Sequence, residues 1–361
     1  MPTLSHLELF SGIGGFRHAF DLLGVDHNLE VPCVGYSEID LQAKKTYQAN
    51  FDVSTSVDLG DIVPFTDTPE NIRRLPDFNI LTGGFPCQAF SMMGYQNGFQ
   101  DERGNLFFNI LKILIEKRPP YILLENVRNL VSHDKKRTFT IIKKSLESIG
   151  YHVYFDIFNS HNFGLAQTRN RIFIFASREK LPSSFTFSQS EIKNCFDVFL
   201  QTSKHSLEIQ KNVLDVLDKT VADRKYFLSD KIKPTILSDG TGSYHSKSKI
   251  NCLIARPLTA TMVKLHRANQ DNYYSLEFLQ SKDPLAHAFL HQETDDLIHK
   301  DIRRLTPKEA LLLQGFSSDF YENAIKSSVG ESQLMKQAGN AVSVNTVYAI
   351  LYYLFIGNKL S

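Results

Sequence analysis

The chain reads as an α/β protein, with a mostly parallel sheet flanked by helices and a second, smaller and irregular domain. Three observations predict this. Short apolar runs alternate with longer helical patterns from Leu4 to about Arg178, the signature of βαβ units. A turn holding Gly12, Gly14 and Gly15 falls between the first apolar run and the first helical pattern. After Arg178 the composition becomes polar and turn-rich as far as about Lys300, with Ser-Asp-Gly-Thr-Gly at 238–242.

Strands are predicted at His6–Phe10, Val34–Ser37, Ile80–Thr82, Tyr121–Glu125, Tyr151–Phe158 and Arg171–Ala176, each a short apolar run bounded by turn residues. Phe16–Leu23, Asp40–Asn50, Gly104–Lys117 and Lys135–Ile149 carry apolar residues at helical spacing and supply the connections. Further on, Thr306 before Pro307 predicts an N-cap with proline at the first helical position, opening a helical run through Leu313. Ala341–Ile356 is the most apolar stretch. Ser343, Asn345 and Thr346 interrupt it, and it falls short of the ~20 apolar residues of a membrane span, so a packed terminal helix is expected.

The 361 residues suggest about two domains at roughly 150 residues each. Apolar residues make up 42% and charged residues 22%, and a net charge of +1 excludes intrinsic disorder and a polycationic tail. Such a chain would meet phosphate through local basic patches. Cys33, Cys87, Cys195 and Cys252 form no CxxC pair, which argues against a zinc knot or a disulfide framework and for a reducing cytosol. The N-terminus has no basic region followed by an apolar one, so no secretory signal is expected.

The glycine turn lets backbone amides approach a ligand at the carboxyl edge of the sheet. A dinucleotide fingerprint would require glycine at position 17, where Arg17 stands, and this disfavours a nicotinamide or flavin site. Glu38 ends the next strand, where a carboxylate can accept hydrogen bonds from a ribose diol; a structural turn plus a surface acid is the competing reading. Gly83-Gly84-Phe85-Pro86-Cys87-Gln88-Ala89-Phe90-Ser91 follows the third strand and puts a thiol at the same edge. The other three cysteines read as small buried hydrophobes. Cys87 sits on an irregular loop where cations or amide dipoles can activate it.

At these residues the sequence resembles, over nearly its whole length, the DNA cytosine-5 methyltransferases. Phe10 through Phe16 is similar to the family's first motif, Glu38 to its second, Gly60-Asp61-Ile62 to its third and Gly83 through Ser91 to its fourth. Arg103-Gly104-Asn105-Leu106-Phe107 resembles the fifth, Glu125-Asn126-Val127 the sixth, and Gln167, Arg169 and Arg171 the eighth. Arg304-Leu305-Thr306-Pro307 with Gln314-Gly315-Phe316 resembles the ninth, and Gly339-Asn340-Ala341-Val342 the tenth. One departure is Ile39, where many members carry an aromatic that stacks on adenine.

The resemblance implies a Rossmann-like S-adenosylmethionine-dependent methyltransferase domain over 1–178, completed by C-terminal helices in 325–361. It implies a target-recognition domain over 179–300 and a return segment, 301–324, carrying the ninth motif. The cofactor would be S-adenosylmethionine, leaving as S-adenosylhomocysteine, with no metal. Its contacts would be Phe10, Gly12, Gly14, Glu38, Ile39, Asp61, Ile62, Pro86, Leu106, Asn340 and Val342.

Carbon 5 of cytosine is a poor nucleophile until something adds at carbon 6, a task that suits the Cys87 thiolate. By resemblance Glu125 donates a proton at ring nitrogen 3, and its place at the end of the apolar strand through Leu123 and Leu124 suits a carboxyl raised toward neutrality. Arg169 and Arg171, two apart at a strand entry, are expected on one face with Gln167. The resemblance places Arg169 on the cytosine carbonyl and gives Arg171 a supporting role; a basic strand entry paired to nearby acids is the alternative.

The implied partner is double-stranded DNA, from which the target base is extruded, with a loop from Ser91 through Tyr95 to Gly98 moving to assist. Within the recognition segment Arg256, Thr259, Thr261, Lys264, His266 and Arg267 can read base edges or grip phosphate; a solvated amphipathic strand competes with that reading. The family's usual setting adds a cognate restriction endonuclease, a monomer, the bacterial cytosol and no membrane. Three rivals remain: a transfer-RNA methyltransferase, disfavoured by the long recognition segment; a catalytically silent DNA-binding relative, disfavoured by the intact Pro-Cys and Glu-Asn pairs; and a nicotinamide oxidoreductase, disfavoured by Arg17.

Overall fold

The computed structural model describes residues 2–86, 106–221, 223–240, 245, 246, 248–290 and 296–357. Contacts divide the chain into two compact units. The first comprises residues 1–159, 170–206 and 346–361, the second 160–169 and 207–345.

The first unit is built on a seven-stranded sheet in the order β3-β2-β1-β4-β5-β7-β6. β1 (His6–Leu9), β2 (Cys33–Tyr36), β3 (Val57–Asp58), β4 (Ile80–Gly84) and β5 (Tyr121–Val127) are parallel, and β6 (His152–Asn159) and β7 (Asn170–Ser177) pair antiparallel at one end. Because β1, β2, β4 and β5 run the same way, the turns that follow them share one edge, where open α/β sheets collect their ligands. The connections are α1 (Gly15–His27), α2 (Leu41–Asn50), the short α3 (Ile62–Thr66) and α4 (Pro69–Arg74), then α5 (Leu106–Lys117) and α6 (Arg137–Ser148). Leu7, Leu9, Leu81, Ile122, Leu124 and Ile174 of the strands pack with Phe107, Ile110, Leu114 and Ile142 of α5 and α6 in one apolar core.

Each boundary has a local cause. α1 starts after Gly14 and stops at Asn28, both left-handed, while the Asp40 carboxylate caps α2 by accepting from the Gln42 and Ala43 amides. α6 begins at Arg137, two residues later than its apolar pattern predicts, because Asp134, Lys135 and Lys136 all take left-handed backbone.

The chain breaks from the sheet at Ser160 and rejoins it at Asn170, and that excursion belongs to the second unit. Arg169 therefore precedes β7 instead of sharing its face with Arg171, which differs from the expectation for that pair. The sequence places the domain boundary at 178/179, whereas the contacts carry the first unit through α7 (Gln189–Thr202) to Ser206. The apolar face of α7, Ile192, Phe196 and Phe199, is the cause, since Phe196 and Phe199 pack on Tyr348 of the first unit's C-terminal segment. That segment also starts later than expected, at residue 346, inside α13 (Val344–Phe355).

Among its described residues the second unit has few strands, in keeping with its turn-rich composition. β8 (Tyr273–Ser275) and β9 (Ile302–Arg304) form an antiparallel pair, joined by α8 (Lys233–Leu237), α9 (Leu276–Gln280), α10 (Pro307–Leu312), α11 (Ser318–Lys326) and α12 (Glu331–Asn340). Thr306 caps α10 as expected and completes a capping box with Glu309. Among the described residues no helix is long and apolar enough to cross a membrane.

Candidate active site

The glycine turn after β1 is tied to the end of β2. Gly12 and Gly14 have φ of 55° and 87°, and the Gly12 amide donates to Glu38 Oε2 at 2.8 Å. Glu38 Oε1 accepts from the Ile39 and Asp40 amides at 2.9 and 2.7 Å. The carboxylate is thereby held in one position, a form of preorganisation. Among the described residues, a Cβ on Gly12 would meet no atom within 4 Å, so the space above the turn is clear of them, and Ile39 beside it is 69% exposed. An open cradle of amides, a fixed carboxylate and an apolar surface suit a nucleoside such as the one in S-adenosylmethionine. Phe10 is also left-handed, at φ 53°. Asp61 caps α3 through the Val63 amide and Ile62 is buried, so Ile62 has only its backbone to offer a ligand. Leu106 opens α5 and Pro86 is exposed after β4, while Cys87 and Ser91 lie outside the described residues.

The root of the Pro-Cys loop is anchored by the neighbouring strand. The Asn126 side chain, 2% exposed, donates from Nδ2 to the Phe85 carbonyl at 2.7 Å, two residues before Cys87. Glu125 stands next to it at the end of β5, and Arg171 Nε is 2.9 Å from Glu125 Oε1. Both side chains are mostly enclosed, so this is a partly desolvated ion pair. A Cβ on Gly84 would lie 3.4 Å from Glu125 Oε2, so the second glycine of the loop keeps the approach to the carboxyl clear. The sequence places Glu125 in an apolar strand end; the fold adds a cationic partner.

Gln167 and Arg169 do different work from Arg171. Arg169, 2% exposed, donates from Nη1 to the Leu258 carbonyl at 2.9 Å, and from Nη2 to the Gly339 and Ala341 carbonyls at 3.0 and 2.9 Å. Gln167 accepts from the Leu258 amide at 3.0 Å and donates to the Leu313 carbonyl at 2.9 Å. Both backbone groups of Leu258 are thus gripped from the 160–169 excursion, whose Thr168 amide also donates to the Ala255 carbonyl at 2.9 Å. Gly339 is required here, because a Cβ on it would come within 2.2 Å of the Thr259 backbone. Asn340 and Val342 flank this junction, at the turn between α12 and α13.

The segment so held lines an open cleft of about 480 Å³ bounded by Arg256, Pro257, Thr259, Thr261, His266, Asn269 and Gln270. Among the described residues, Arg256 Nη1 and Asn269 Oδ1 are buried without a hydrogen-bond partner. The Arg256 backbone is fixed on both sides by the Asn272 amide group, and the His266 amide and ring lie against Asp271, whose carboxyl burial pushes upward. Four of the six recognition-segment candidates line this cleft; Lys264 and Arg267 do not. Asn269 and Gln270 were not legible, since polar amides in a turn-rich stretch carry no pattern of their own.

A family model described as C-5 cytosine-specific DNA methylase matches residues 4–355. Type II methyltransferase M1.ScrFI of Lactococcus lactis subsp. cremoris is 37% identical over 347 residues, covering 95% of this chain and 76% of the relative. Type II methyltransferase M.HaeII of Haemophilus aegyptius is 35% identical, covering 97% and 92%. Among solved structures, the S. pombe Dnmt2 methyltransferase superposes with a TM-score of 0.70 at 20% identity, covering 97% and 98%; at that identity the likeness concerns the fold.

Proposed function

Because the chain belongs to the C-5 cytosine-specific DNA methylase family, and so is a DNA (cytosine-5-)-methyltransferase of the restriction-modification type, we propose that it acts through a covalent adduct between Cys87 and an extruded cytosine. The observation that carries the proposal is the 2.9 Å pair between Glu125 and Arg171, adjacent to the Asn126 bond that anchors the Pro-Cys loop.

Glu125, whose pairing with Arg171 favours the carboxylate, first takes up a proton as the cytosine enters. The Cys87 thiolate then adds to carbon 6 while that proton passes to ring nitrogen 3, so no negative charge accumulates on the ring. Carbon 5 is then an enamine carbon. S-adenosylmethionine, when bound, supplies the electrophilic methyl group. Transfer of the carbon 5 proton to water expels the thiolate, restores the ring and lets nitrogen 3 return its proton to Glu125. Arg171 orients the Glu125 carboxyl and, with its remaining donors, takes the contact to the cytosine carbonyl that the family resemblance gave to Arg169, whose Nη donors already serve three backbone carbonyls.

The turn at Gly12–Gly14, with Glu38 for the ribose and Ile39 for the adenine, holds the cofactor, joined by Phe10, Asp61, Ile62, Pro86 and Leu106; Asn340 and Val342 are candidates by the family resemblance alone. Ile39 replaces ring stacking with simple apolar contact, which costs cofactor affinity relative to an aromatic. Duplex DNA is read at the cleft of Arg256, Thr259, Thr261 and His266, with Lys264, Arg267 and Ser91 on phosphate or the displaced strand. A restriction endonuclease of the same specificity is the functional partner, the chain acts as a monomer, and the bacterial cytosol is its place of action.

Bisulfite sequencing of DNA incubated with the protein and S-adenosylmethionine tests the reading. Protected cytosines at one recurring sequence are expected; unmodified DNA beside methylated transfer RNA would overturn the choice of substrate. Duplexes carrying 5-fluorocytosine should trap a covalent complex with wild type and none with Cys87→Ala, since fluorine cannot leave as a proton does.

A further inference from the structure

We propose that Glu8, Arg17 and Tyr47 form a buried positioning network beneath the glycine turn, so that cofactor affinity is set partly by side chains that never touch the cofactor. This rests on reading that turn as the S-adenosylmethionine site.

Glu8 lies in β1 and is fully buried, a costly position for a carboxyl unless partners satisfy it. Its oxygens accept from Tyr47 Oη at 3.1 Å and from the Arg17 amide at 3.4 Å. The charged and titratable groups facing it are Arg17 and Asp21 of α1, Cys33 of β2 and Tyr47 of α2. Arg17 stands where a dinucleotide fingerprint would carry its third glycine, the one that lets helix and strand approach. Here the helix carries a guanidinium instead. Its Nε donates to Asp21 at 3.3 Å, its Nη2 to the Asp52 carbonyl at 3.3 Å, and it lies 5.6 Å from the Phe51 ring centre.

Tyr47 connects this network to the turn. A Cβ on Gly14 would fall 2.3 Å from Phe51 Cε2 and 3.0 Å from Tyr47 Cδ2, so the turn rests directly on these two rings. From Gly14 the restraints run outward. Its amide donates to the Ser11 carbonyl at 2.8 Å, the Ser11 amide to the Ser37 carbonyl at 2.9 Å, and the Gly12 amide to Glu38 at 2.8 Å. A shift of the Tyr47 ring thus displaces the floor under the amides that face the ligand, and the bond to Glu8 is what fixes that ring's hydroxyl end. Burial raises the Glu8 carboxyl to about 8, so a neutral side chain of the same shape should serve nearly as well.

Calorimetric titration of S-adenosylhomocysteine into the full-length wild type, Tyr47→Phe, Glu8→Ala and Glu8→Gln at pH 7 tests the proposal, with affinity for the methylated duplex as a parallel readout. Tyr47→Phe and Glu8→Ala should each weaken S-adenosylhomocysteine binding by about fivefold or more, Glu8→Gln should stay within about twofold of wild type, and duplex affinity should hold throughout. Should Glu8→Ala fail to fold, Tyr47→Phe decides alone. Binding by Tyr47→Phe within about twofold of wild type overturns the network. An equal loss of duplex affinity overturns it too, as general destabilisation. A wild type that does not bind S-adenosylhomocysteine instead overturns the cofactor reading.

Discussion

Arg171 Nε and Glu125 Oε1 meet at 2.9 Å across the β5–β7 ladder, on strands that run antiparallel with Val127 opposite Arg171 and Phe173 opposite Glu125. The two side chains are diagonal neighbours on one face, a separation long side chains span readily. Antiparallel β7 therefore delivers a guanidinium to the carboxyl end of a parallel strand, where the proton donor of the proposed reaction stands.

Arg171→Ala should lower turnover by about 100-fold, the scale of removing one preorganised donor from a polar active site. S-adenosylhomocysteine affinity should be unaffected, because the glycine turn and Glu38 are held by other bonds. Single-turnover kinetics beside calorimetry separate the two quantities, and an unchanged rate would remove Arg171 from the site.

Arg169→Ala should behave differently. It strips donors from three buried carbonyls at once and should destabilise the protein by about 3 kcal/mol or more, read as a shift in the urea midpoint. Arg169→Lys, tested on folded protein, should weaken duplex binding because a point charge cannot reach Leu258, Gly339 and Ala341 together. Full duplex affinity in that variant would show that the Leu258 grip is dispensable.

The second unit contains a fully buried ion pair. Arg303 donates from Nη1 and Nη2 to Glu309 Oε2 and Oε1 at 2.9 and 2.7 Å, and Glu309 also accepts from the Thr306 and Asp218 amides. Removing one partner leaves an uncompensated buried charge, so Arg303→Met should cost about 3–5 kcal/mol, whereas pairing it with Glu309→Leu should recover part of the loss. Denaturation midpoints of the two single variants and the double one check this; a double variant no better than the worse single one would contradict it.

Stability should fall on both sides of neutrality. Burial raises Glu8 from 4.5 to about 8, so the stability it contributes is present below pH 4.5 and disappears as pH climbs through about 8. Burial lowers His6 below 6.5 and takes His18 from 6.5 to about 4, so their contribution is present above pH 6.5 and disappears as pH falls toward 4. Melting temperatures between pH 5 and 9 should show Glu8→Gln removing the decline from about pH 6.5 to 8 and steepening the rise below it. A wild-type profile flat from pH 7 to 9 would contradict the assignment.

Much of the local structure around the candidate site was legible in the sequence. The glycine turn, Glu38, the Glu125-Asn126 pair and the Thr306-Pro307 cap are local patterns, recognisable because turns, caps and strand ends constrain residue type over a few positions. The roles of Arg169 and Arg171 were not separable. Two residues apart on a predicted strand they look equivalent, and only the excursion at 160–169 sends one to backbone carbonyls and the other to a carboxylate. Tyr47 carried no signal at all, since an aromatic on a helix is ordinarily core.

The order of chemical motifs, the α/β class and the family thus follow from the chain alone, because short-range backbone preferences and residue chemistry are written directly in sequence. What folding decided was partnership: which cation faces Glu125, which acid lies under the glycine turn, and which side chains grip Leu258. Those pairings join residues 39, 46 and 89 positions apart. Such distant contacts depend on sheet order and close packing, which no local window of the chain records.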